Sequence, residues 1–316
     1  MKGMNKKRLL TGIQSSGTLH IGNYFGALKP FADTYLDYES HLMVADLHAL
    51  TTVREPALMR QNIIDVVKDY VAAGIDPTEA IIFKQSDVPE HTELGWMFQC
   101  LVTVPFLMQA HAYKDKVAKG IEASAGLFSY PMLMAADILL YDAEIVPVGE
   151  DQRQHIEYAR EAANKFNLAY GETFLPPQEM ILKAVGVVPG TDGLKMSKSY
   201  KNTIPLFGTP EEIVKAVMGI VTDSSGDRPE HVYAIHRLLK TEAELDSLYS
   251  ENKGKYKNLK DALSVDLNTF LAPRREARAA ITDADVITIL RDGAVRARER
   301  ASTKMIEVRK KVGVSL

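Results

Sequence analysis

The chain has 316 residues, with 38 lysines and arginines against 41 acidic residues and a formal net charge of −3. Hydrophobic residues make up 46% and charged residues 25%, an ordinary globular composition that excludes a disordered, collagen-like or coiled-coil chain. The length suggests about two domains, and the single cysteine, Cys100, excludes an intramolecular disulfide or a metal site built on several cysteines.

The first residues are basic, with Lys2, Lys6, Lys7 and Arg8, but no apolar signal core follows them. We therefore expect no secretory peptide. No stretch approaches about 18 uninterrupted apolar residues, the length that a membrane helix needs. We expect a soluble, cytoplasmic protein, which the single cysteine also favours.

Short apolar runs alternate with helical patterns over the first two-thirds of the chain, which predicts a parallel sheet covered by helices. Strands are predicted at residues 8–13, 41–45, 80–84, 144–148 and 180–185, and helices from about residue 22, over 56–73 and over 152–166. The expected fold class is therefore α/β, with a doubly wound parallel sheet.

Strand signals fade from about residue 210, which predicts a C-terminal all-helical domain with helices at 211–220, 241–249, 259–280 and 283–312. We place the α/β domain at residues 1–208 and the helical domain at 209–316, and expect the last helix to pack back on the first domain. In that helix Asp283 is the predicted cap. Its predicted apolar face contains Ile287, Leu290, Val295, Met305 and Val308.

A glycine-rich loop, Gln14 to Asn23, follows the first predicted strand and leads into a helix N-terminus. This is the place of a phosphate site in such a fold. Gly22 lets a ligand approach the backbone closely, and His20 and Asn23 lie in the first helical turn. An ordinary turn with a helix cap explains the same residues about as well.

A second loop carries two lysines, Lys195 and Lys198, around Met196 and Ser197, with Ser199 following. Such a loop could close over a polyphosphate, where the ammonium groups would neutralise charge that grows on a leaving group. A lysine- and serine-rich surface loop is the alternative interpretation.

Between these loops a predicted helix places Tyr130, Met134, Asp137 and Tyr141 on one side, through spacings of four, three and four. A carboxylate among apolar neighbours is costly without a partner. An indole ring meets that demand, because its N–H donates and cannot accept. The alternative is an aspartate turned to solvent on a core helix.

The two loops together resemble those of the class I aminoacyl-tRNA synthetases. The segment from Tyr130 to Asp137, the Val146-Pro-Val-Gly149-Glu150-Asp151-Gln152 stretch and the first loop are similar to the bacterial tryptophanyl-tRNA synthetases. The resemblance implies a Rossmann-type catalytic domain and a helical tRNA-binding domain. The sequence departs from the common bacterial form at Ser15, where proline is usual, and at Leu10, where a large aromatic residue is usual.

The resemblance also implies roles for particular residues. Catalytic roles on the phosphates fall to His20, Asn23, Lys195 and Lys198. The expected ATP-binding residues are Gln14, Ser15, Ser16, Gly22, Asn23, Gly149, Glu150, Asp151, Lys195, Met196, Ser197, Lys198 and Ser199. The expected tryptophan-binding residues are Asp137, Tyr130, Met134, Gln152 and His48. It further implies ATP as substrate, Mg²⁺ held by ATP and water with no protein metal site, tRNA(Trp) as partner, and a homodimer.

Three other functions stay open. Tyrosyl-tRNA synthetase shares the fold and both loops, although Met134 and Asp137 favour an indole over a phenol. A nucleotidyltransferase with the first loop would not need the lysine loop or the helical tail. A catalytically idle tryptophan sensor is opposed by the complete lysine loop.

Several residues have a structural rather than a functional interpretation. Trp96, Met97 and Cys100 are predicted to pack in the core or between domains. His91 lacks metal-ligand company and is assigned no role. The basic residues of 291–316 indicate a solvated helix face, or a nucleic-acid contact if the resemblance holds.

Overall fold

A computed structural model describes residues 6–15, 17–118, 120, 122–148, 153–181, 188–222 and 228–315. These ranges contain the strands β1 (Arg8–Ile13), β2 (Glu39–Val44), β3 (Ile81–Lys84), β4 (Ile145–Val148) and β5 (Gln178–Ile181). The strands form one parallel sheet in the order β3-β2-β1-β4-β5. The prediction of a parallel sheet is confirmed. Strand β5 shares Met180 and Ile181 with the strand predicted at 180–185, whose residues 182–185 lie outside the described residues.

The helices follow the predicted alternation in the first two-thirds and dominate the rest of the chain. They are α1 (Ile21–Asn23), α2 (Lys29–Ala32), α3 (Asp46–Ala49), α4 (Pro56–Ala72), α5 (Glu90–Gln99), α6 (Val104–Leu107), α7 (His111–Ala118), α8 (Ala125–Leu139), α9 (Arg153–Tyr170), α10 (Pro210–Met218), α11 (Glu230–His236), α12 (Glu242–Glu251), α13 (Tyr256–Ala280) and α14 (Asp283–Val312). A π-helical turn spans Tyr24–Leu28, and 3₁₀ turns span Tyr35–Asp37, Gln85–Asp87 and Lys198–Tyr200. No helix within the described ranges is long and apolar enough to cross a membrane.

Helices cover both faces of the sheet. Successive residues of a strand point to opposite sides, so neighbouring strand residues join different apolar clusters. Leu9 of β1 and Leu42 of β2 belong to a first apolar cluster, shared with α4 and with α10 to α13. Leu10 and Met43 belong to a second cluster, shared with α5, α8 and α9. The sheet is therefore doubly wound, as predicted. Its strand order reverses between β1 and β4, and the loop after β1 opens at that switch point.

Helix α14 crosses the edge strand β3 from one face of the sheet to the other. Leu290 joins the first apolar cluster and Met305 joins the second. Between them, Gly293 lies against β3 so closely that a Cβ atom there would overlap the Ile82 carbonyl. Arg296 donates to backbone carbonyls just before β3. The helix therefore covers the outer edge of the sheet.

Two predictions about α14 are wrong. The N-cap is Thr282 rather than Asp283, since the Thr282 side chain and Asp285 form a reciprocal capping pair. Ile287 and Val295 are 53% and 67% exposed. The close approach to β3 selects small residues for the buried stripe instead, and these are Gly293, Ala294, Ala297 and Ala301.

The predicted burial of Trp96 and Cys100 on α5 is also wrong. The Trp96 side chain is 65% exposed and Cys100 is exposed, whereas Met97 is partly buried. The helix buries Leu94 and Phe98 in the second cluster instead, so Trp96 and Cys100 share the opposite, outer side.

Candidate active site

A reciprocal cap at the start of α1 closes the loop after β1. His20 Nδ1 accepts a hydrogen bond from the Asn23 backbone N–H at 3.2 Å, and Asn23 Oδ1 accepts one from the His20 N–H at 3.1 Å. The Ile21 N–H donates to the Ile204 carbonyl at 3.0 Å, which ties this loop to the segment after the lysine loop. The structure thus brings His20 and Asn23 together and fixes both.

His20 is a neutral donor in this setting. Burial and then the charge of Lys198 lower its pKa to about 4. Because Nδ1 accepts the Asn23 N–H, the proton of the neutral ring lies on Nε2. The ring therefore offers a ligand one N–H group rather than a positive charge.

Lys198 joins the lysine loop to the first loop. Its Nζ donates to the Gly17 carbonyl at 2.8 Å, and burial lowers the pKa of Lys198. Met196 is buried beside Gly22, where a Cβ atom would lie 3.2 Å from Met196 Cβ. The Lys195 side chain is exposed. The two loops that were predicted to cooperate are therefore in contact through one of the two lysines.

Asn202 shapes the lysine loop and was not predicted. Its Oδ1 accepts from the Ser197 N–H at 2.8 Å, and its Nδ2 donates to the Lys195 carbonyl at 3.1 Å. The same amide donates to Asp192 Oδ1 at 2.7 Å. Gly190 leaves room for it, since a Cβ atom at that position would overlap the Asn202 amide. An asparagine three residues after the lysine loop was the available signal.

Asp137 is buried, 2% exposed, with three side-chain donors around it. His48 Nε2 lies 2.9 Å from Oδ2, while Gln85 Nε2 and His91 Nδ1 lie 2.8 Å and 2.6 Å from Oδ1. Burial raises the pKa of Asp137, but the hydrogen bonds and the charges of the two histidines together lower it more, to about 2. The carboxylate is an ionised acceptor, so the interpretation of an aspartate turned to solvent is wrong.

Two other predicted pocket residues lie on the same helix, α8. The Tyr130 hydroxyl is 2.7 Å from His155 Nε2, and the Tyr130 ring meets the His48 ring edge-on with centroids 6.2 Å apart. Met134 is partly buried. His48, Tyr130 and Asp137 thus surround one region beside the carboxyl ends of β2 and β3.

Sequence reasoning missed Gln85 and His91, which both follow β3. Gln85 also accepts from the His48 backbone N–H at 3.4 Å, so its amide links two elements. A signal was present: Gln85 comes directly after a buried strand, as Gln14 does after β1. The sequence assigns His91 no role because it lacks metal-ligand company, yet His91 is a direct partner of Asp137.

Of the remaining predicted site residues, the structure describes some, and others lie outside the described ranges. Gln14 Nε2 donates to the His48 carbonyl at 3.1 Å. Ser15 is fully buried, with its hydroxyl 3.5 Å from Met59 Sδ. Outside the described residues lie Ser16, Gly149, Glu150, Asp151, Gln152 and the side chain of Ser199.

A family profile described as class I tRNA synthetases (W and Y) matches residues 2–283. The chain belongs to this family of class I aminoacyl-tRNA synthetases. That assignment agrees with the sheet order, the closed first loop and the lysine loop in contact with it.

Curated relatives of the chain are named tryptophan--tRNA ligases. Tryptophan--tRNA ligases from Rhodopirellula baltica and Fusobacterium nucleatum are 44% and 42% identical, over 97% and 98% of this chain and 99% and 98% of theirs. A crystal structure of tryptophanyl-tRNA synthetase from Campylobacter jejuni, complexed with ADP and tryptophan, matches with a TM-score of 0.91 and 40% identity, over 97% of this chain and 99% of that one. The predicted resemblance to bacterial tryptophanyl-tRNA synthetases is confirmed.

Proposed function

We propose that the chain is a tryptophan--tRNA ligase, which activates L-tryptophan with ATP to tryptophanyl-adenylate and pyrophosphate and then transfers it to tRNA(Trp). The observation that carries the proposal is the hydrogen bond from Lys198 Nζ to the Gly17 carbonyl, 2.8 Å long. Together with the effect of the Lys198 charge on the neutral His20, it supports a phosphate site at the switch point of the sheet, where a nucleotide is bound in such folds.

The first step needs positioning and charge stabilisation rather than a general base. The tryptophan carboxylate, already ionised at neutral pH, attacks the α-phosphorus of ATP, and the bond to the bridging oxygen of pyrophosphate breaks. The Nε2–H of His20 donates to a phosphate oxygen, while Lys198, and Lys195 as the loop moves, neutralise charge on the leaving pyrophosphate. Asn23 holds His20 in the orientation that this donation requires.

Asp137 selects the amino acid in this proposal. Its ionised carboxylate accepts the indole N–H, and Tyr130, Met134 and His48 lie along the ring. An indole N–H cannot accept a hydrogen bond, so a carboxylate that only accepts is its complement. In the second step the tryptophanyl group moves from the adenylate to the 2′ hydroxyl of the terminal ribose of tRNA, with AMP as leaving group.

Mg²⁺ belongs with the nucleotide in this proposal. Within the described ranges, no group of three or more His, Cys, Asp and Glu side chains could hold a metal ion. The donors at the joined loops, His20 and Lys198, suit phosphate oxygens instead. When bound through those oxygens and water, Mg²⁺ supplies charge neutralisation to the phosphate chain.

A homodimer and a cytoplasmic location complete the proposal. Large apolar side chains are exposed along consecutive segments from α5 to α6, where Trp96, Val104 and Met108 are 65%, 61% and 47% exposed. We infer that these side chains contribute to an interface with another chain, since a contiguous exposed apolar surface favours one. A second copy is the partner that the family resemblance implies.

The deciding experiment is exchange of labelled pyrophosphate into ATP with each of the twenty amino acids. We expect exchange with tryptophan alone. Exchange with tyrosine would keep the class and overturn the proposed role of Asp137. Tryptophan binding in calorimetry without any exchange would favour the sensor.

A second measurement tests the lysine loop. We expect Lys198→Ala to slow single-turnover adenylate formation by about 100-fold, the scale of losing one transition-state charge contact. Lys195→Ala is expected to slow it as well. Lys215→Ala, on the exposed side of α10, is the matched control and should behave as wild type. Unchanged rates in both loop variants would remove the loop from the mechanism.

A further inference from the structure

The surroundings of Asp137 are asymmetric between its two oxygens. Oδ1 accepts from Gln85 Nε2 and from His91 Nδ1. Among the described residues, Oδ2 accepts from His48 alone. A carboxylate oxygen offers about two lone-pair positions, so Oδ1 is saturated and Oδ2 keeps one position open. His48 is also the partly exposed member of the group, 14% exposed, so Oδ2 lies on the accessible side.

His91 is held on its other side by Tyr141. The Tyr141 hydroxyl lies 2.8 Å from His91 Nε2, and both side chains are fully buried. The Phe83 ring stacks on His91 with centroids 6.1 Å apart. His91 therefore has no freedom to turn its Nδ1 away from Asp137.

We propose that His91, fixed by Tyr141, is a positioning residue for the amino-acid pocket: it occupies Oδ1 of Asp137 and so leaves Oδ2 as the atom that accepts the indole N–H. This inference rests on the proposed function.

The protonation states follow from the geometry. His91 must carry a proton on Nδ1 to donate to Asp137, so in the neutral ring Nε2 is an acceptor. The Tyr141 hydroxyl supplies the matching donor. Burial and the charges of Asp137 and Glu90 raise the pKa of Tyr141 well above its ordinary value, which keeps that proton in place. Tyr141 thus selects the His91 tautomer that Asp137 requires.

Other ionisable groups face this region from every neighbouring element. His48 comes from α3 and contacts Asp137 directly. Glu90 of α5 acts on Tyr141 through its charge. The His41 ring of β2 lies 5.1 Å from the Tyr141 ring. A change of pH acts on these groups too, so wild type and variants must be compared at each pH.

The experiment measures tryptophan-dependent pyrophosphate exchange in His91→Leu, His91→Asn and Tyr141→Phe. His91→Leu removes the donor to Oδ1, and we expect KM for tryptophan to rise about 10- to 100-fold, the range for a lost hydrogen bond to a charged group. KM for ATP should stay unchanged. His91→Asn keeps an N–H near the Nδ1 position and should recover most of the loss, while Tyr141→Phe should give an intermediate rise.

The pH profile separates positioning from a merely structural role. Loss of the donor raises the pKa of Asp137, so the acid limb of kcat/KM for tryptophan should move to higher pH in His91→Leu and return with His91→Asn. If His91→Leu does not fold, Tyr141→Phe and His91→Asn carry the same test.

The chain contains a matched control. His236 is buried between the Tyr249 hydroxyl at 3.2 Å and Asp266 at 2.7 Å, the same tyrosine–histidine–aspartate arrangement among the C-terminal helices. His236→Leu should lower Tm without changing KM for tryptophan or the acid limb. Equal kinetic behaviour of His91→Leu and His236→Leu would overturn the inference. Failure of wild type to exchange with tryptophan would instead overturn the proposed function.

Discussion

At the scale of single residues, Gly22 decides how closely the two loops approach. A Cβ atom there would lie 2.9 Å from His20 Nδ1 and 3.2 Å from Met196 Cβ. The His20 ring is held by its bond to Asn23 and cannot withdraw without losing the cap. A side chain at this position must therefore displace either the neutral donor or the lysine loop.

We predict that Gly22→Ala slows adenylate formation about tenfold or more, because it shifts His20 from the phosphate position. Gly26, one turn further on, has nothing within 4 Å of the corresponding atom. Gly26→Ala is the matched control and should raise stability slightly, since glycine costs about 0.5–1 kcal/mol in a helical segment. Single-turnover kinetics and urea unfolding measure the two effects. Equal rates in the two variants would contradict the prediction.

The buried histidine His41 makes the stability of the folded chain depend on pH. Its side chain is 1% exposed in β2, and its Nε2 has no hydrogen-bond partner among the described residues. Burial lowers its pKa to about 4 from an ordinary 6.5. Below pH 6.5 the unfolded chain therefore binds a proton that the folded chain does not, and stability falls as the pH drops toward 4.

We predict that His41→Leu loses less stability than wild type between pH 7.5 and pH 5, by about 1–2 kcal/mol. The comparison cancels groups that titrate in both proteins. Among these is Asp69, whose pKa burial raises to about 6 and which acts in the opposite direction. Urea unfolding at the two pH values supplies the four free energies. Parallel losses in the two proteins would show that His41 does not titrate in this range.

At the scale of elements, the basic residues of α14 serve mainly to dock the helix. Arg309 forms two hydrogen bonds with the Glu93 carboxylate of α5. Lys304 Nζ lies 2.7 Å from Asp142, and this lysine is 10% exposed. Arg298 donates to the Asp87 carbonyl. Lys304 is therefore not on a solvated face, whereas Arg298 is exposed and agrees with the solvated interpretation.

We predict that Lys304→Glu destabilises the fold by about 3 kcal/mol or more, because it leaves Asp142 beside a like charge in a nearly buried position. Lys310, one turn beyond Glu307, makes no ion pair among the described residues, and Lys310→Glu is the control with an expected change within about 0.5 kcal/mol. Thermal unfolding compares them. A similar Tm for the two variants would exclude the docking role of Lys304.

The close contact of α14 with β3 leaves no room for a side chain at Gly293. Gly293→Ala should cost more than about 2 kcal/mol, since the new methyl group overlaps the backbone of Ile82 and the helix must lift. Gly126→Ala in α8 is the matched helical substitution, with 3.9 Å to the nearest atom. It should be neutral or stabilising. Urea unfolding of both variants measures the difference.

At the scale of the whole molecule, one apolar cluster joins the sheet to the C-terminal helices. Leu9 and Leu42 of the sheet share it with Leu263 and Leu267 of α13. Arg278 of α13 reaches back to the Asp69 carboxylate at 2.6 Å. The division into domains at residues 208 and 209 stays a prediction, and this shared cluster argues that the two parts unfold together.

We predict that peptides from β2 and from α13 lose hydrogen-exchange protection at the same urea concentration, because a shared core makes unfolding cooperative. Mass spectrometry of exchanged peptides follows both elements in one sample. Earlier loss of protection in α13 alone would mean that residues after 208 form an independently unfolding domain.

The strands and the two loops were predictable because their signals are local. Each strand is a short apolar run, and each loop follows a strand. The incorrect predictions for side chains concern residues whose partners lie far along the chain. The exposure of Ile287 and Val295 follows from the closeness of β3, and the role of His91 follows from an aspartate on another helix. Helix α11 was missed because seven residues show too little periodicity.

The position of α14 on the edge strand has a consequence for synthesis of the chain. Asp87 and its partner Arg298 are separated by 211 residues. At about 5–20 residues per second, a ribosome therefore makes Arg298 roughly 10–40 s after Asp87. During that interval the outer backbone of β3 is a free strand edge, the kind of surface that pairs with other chains. Premature termination before α14 would therefore release a chain prone to edge-to-edge aggregation, and shielding by a chaperone is most needed in this interval.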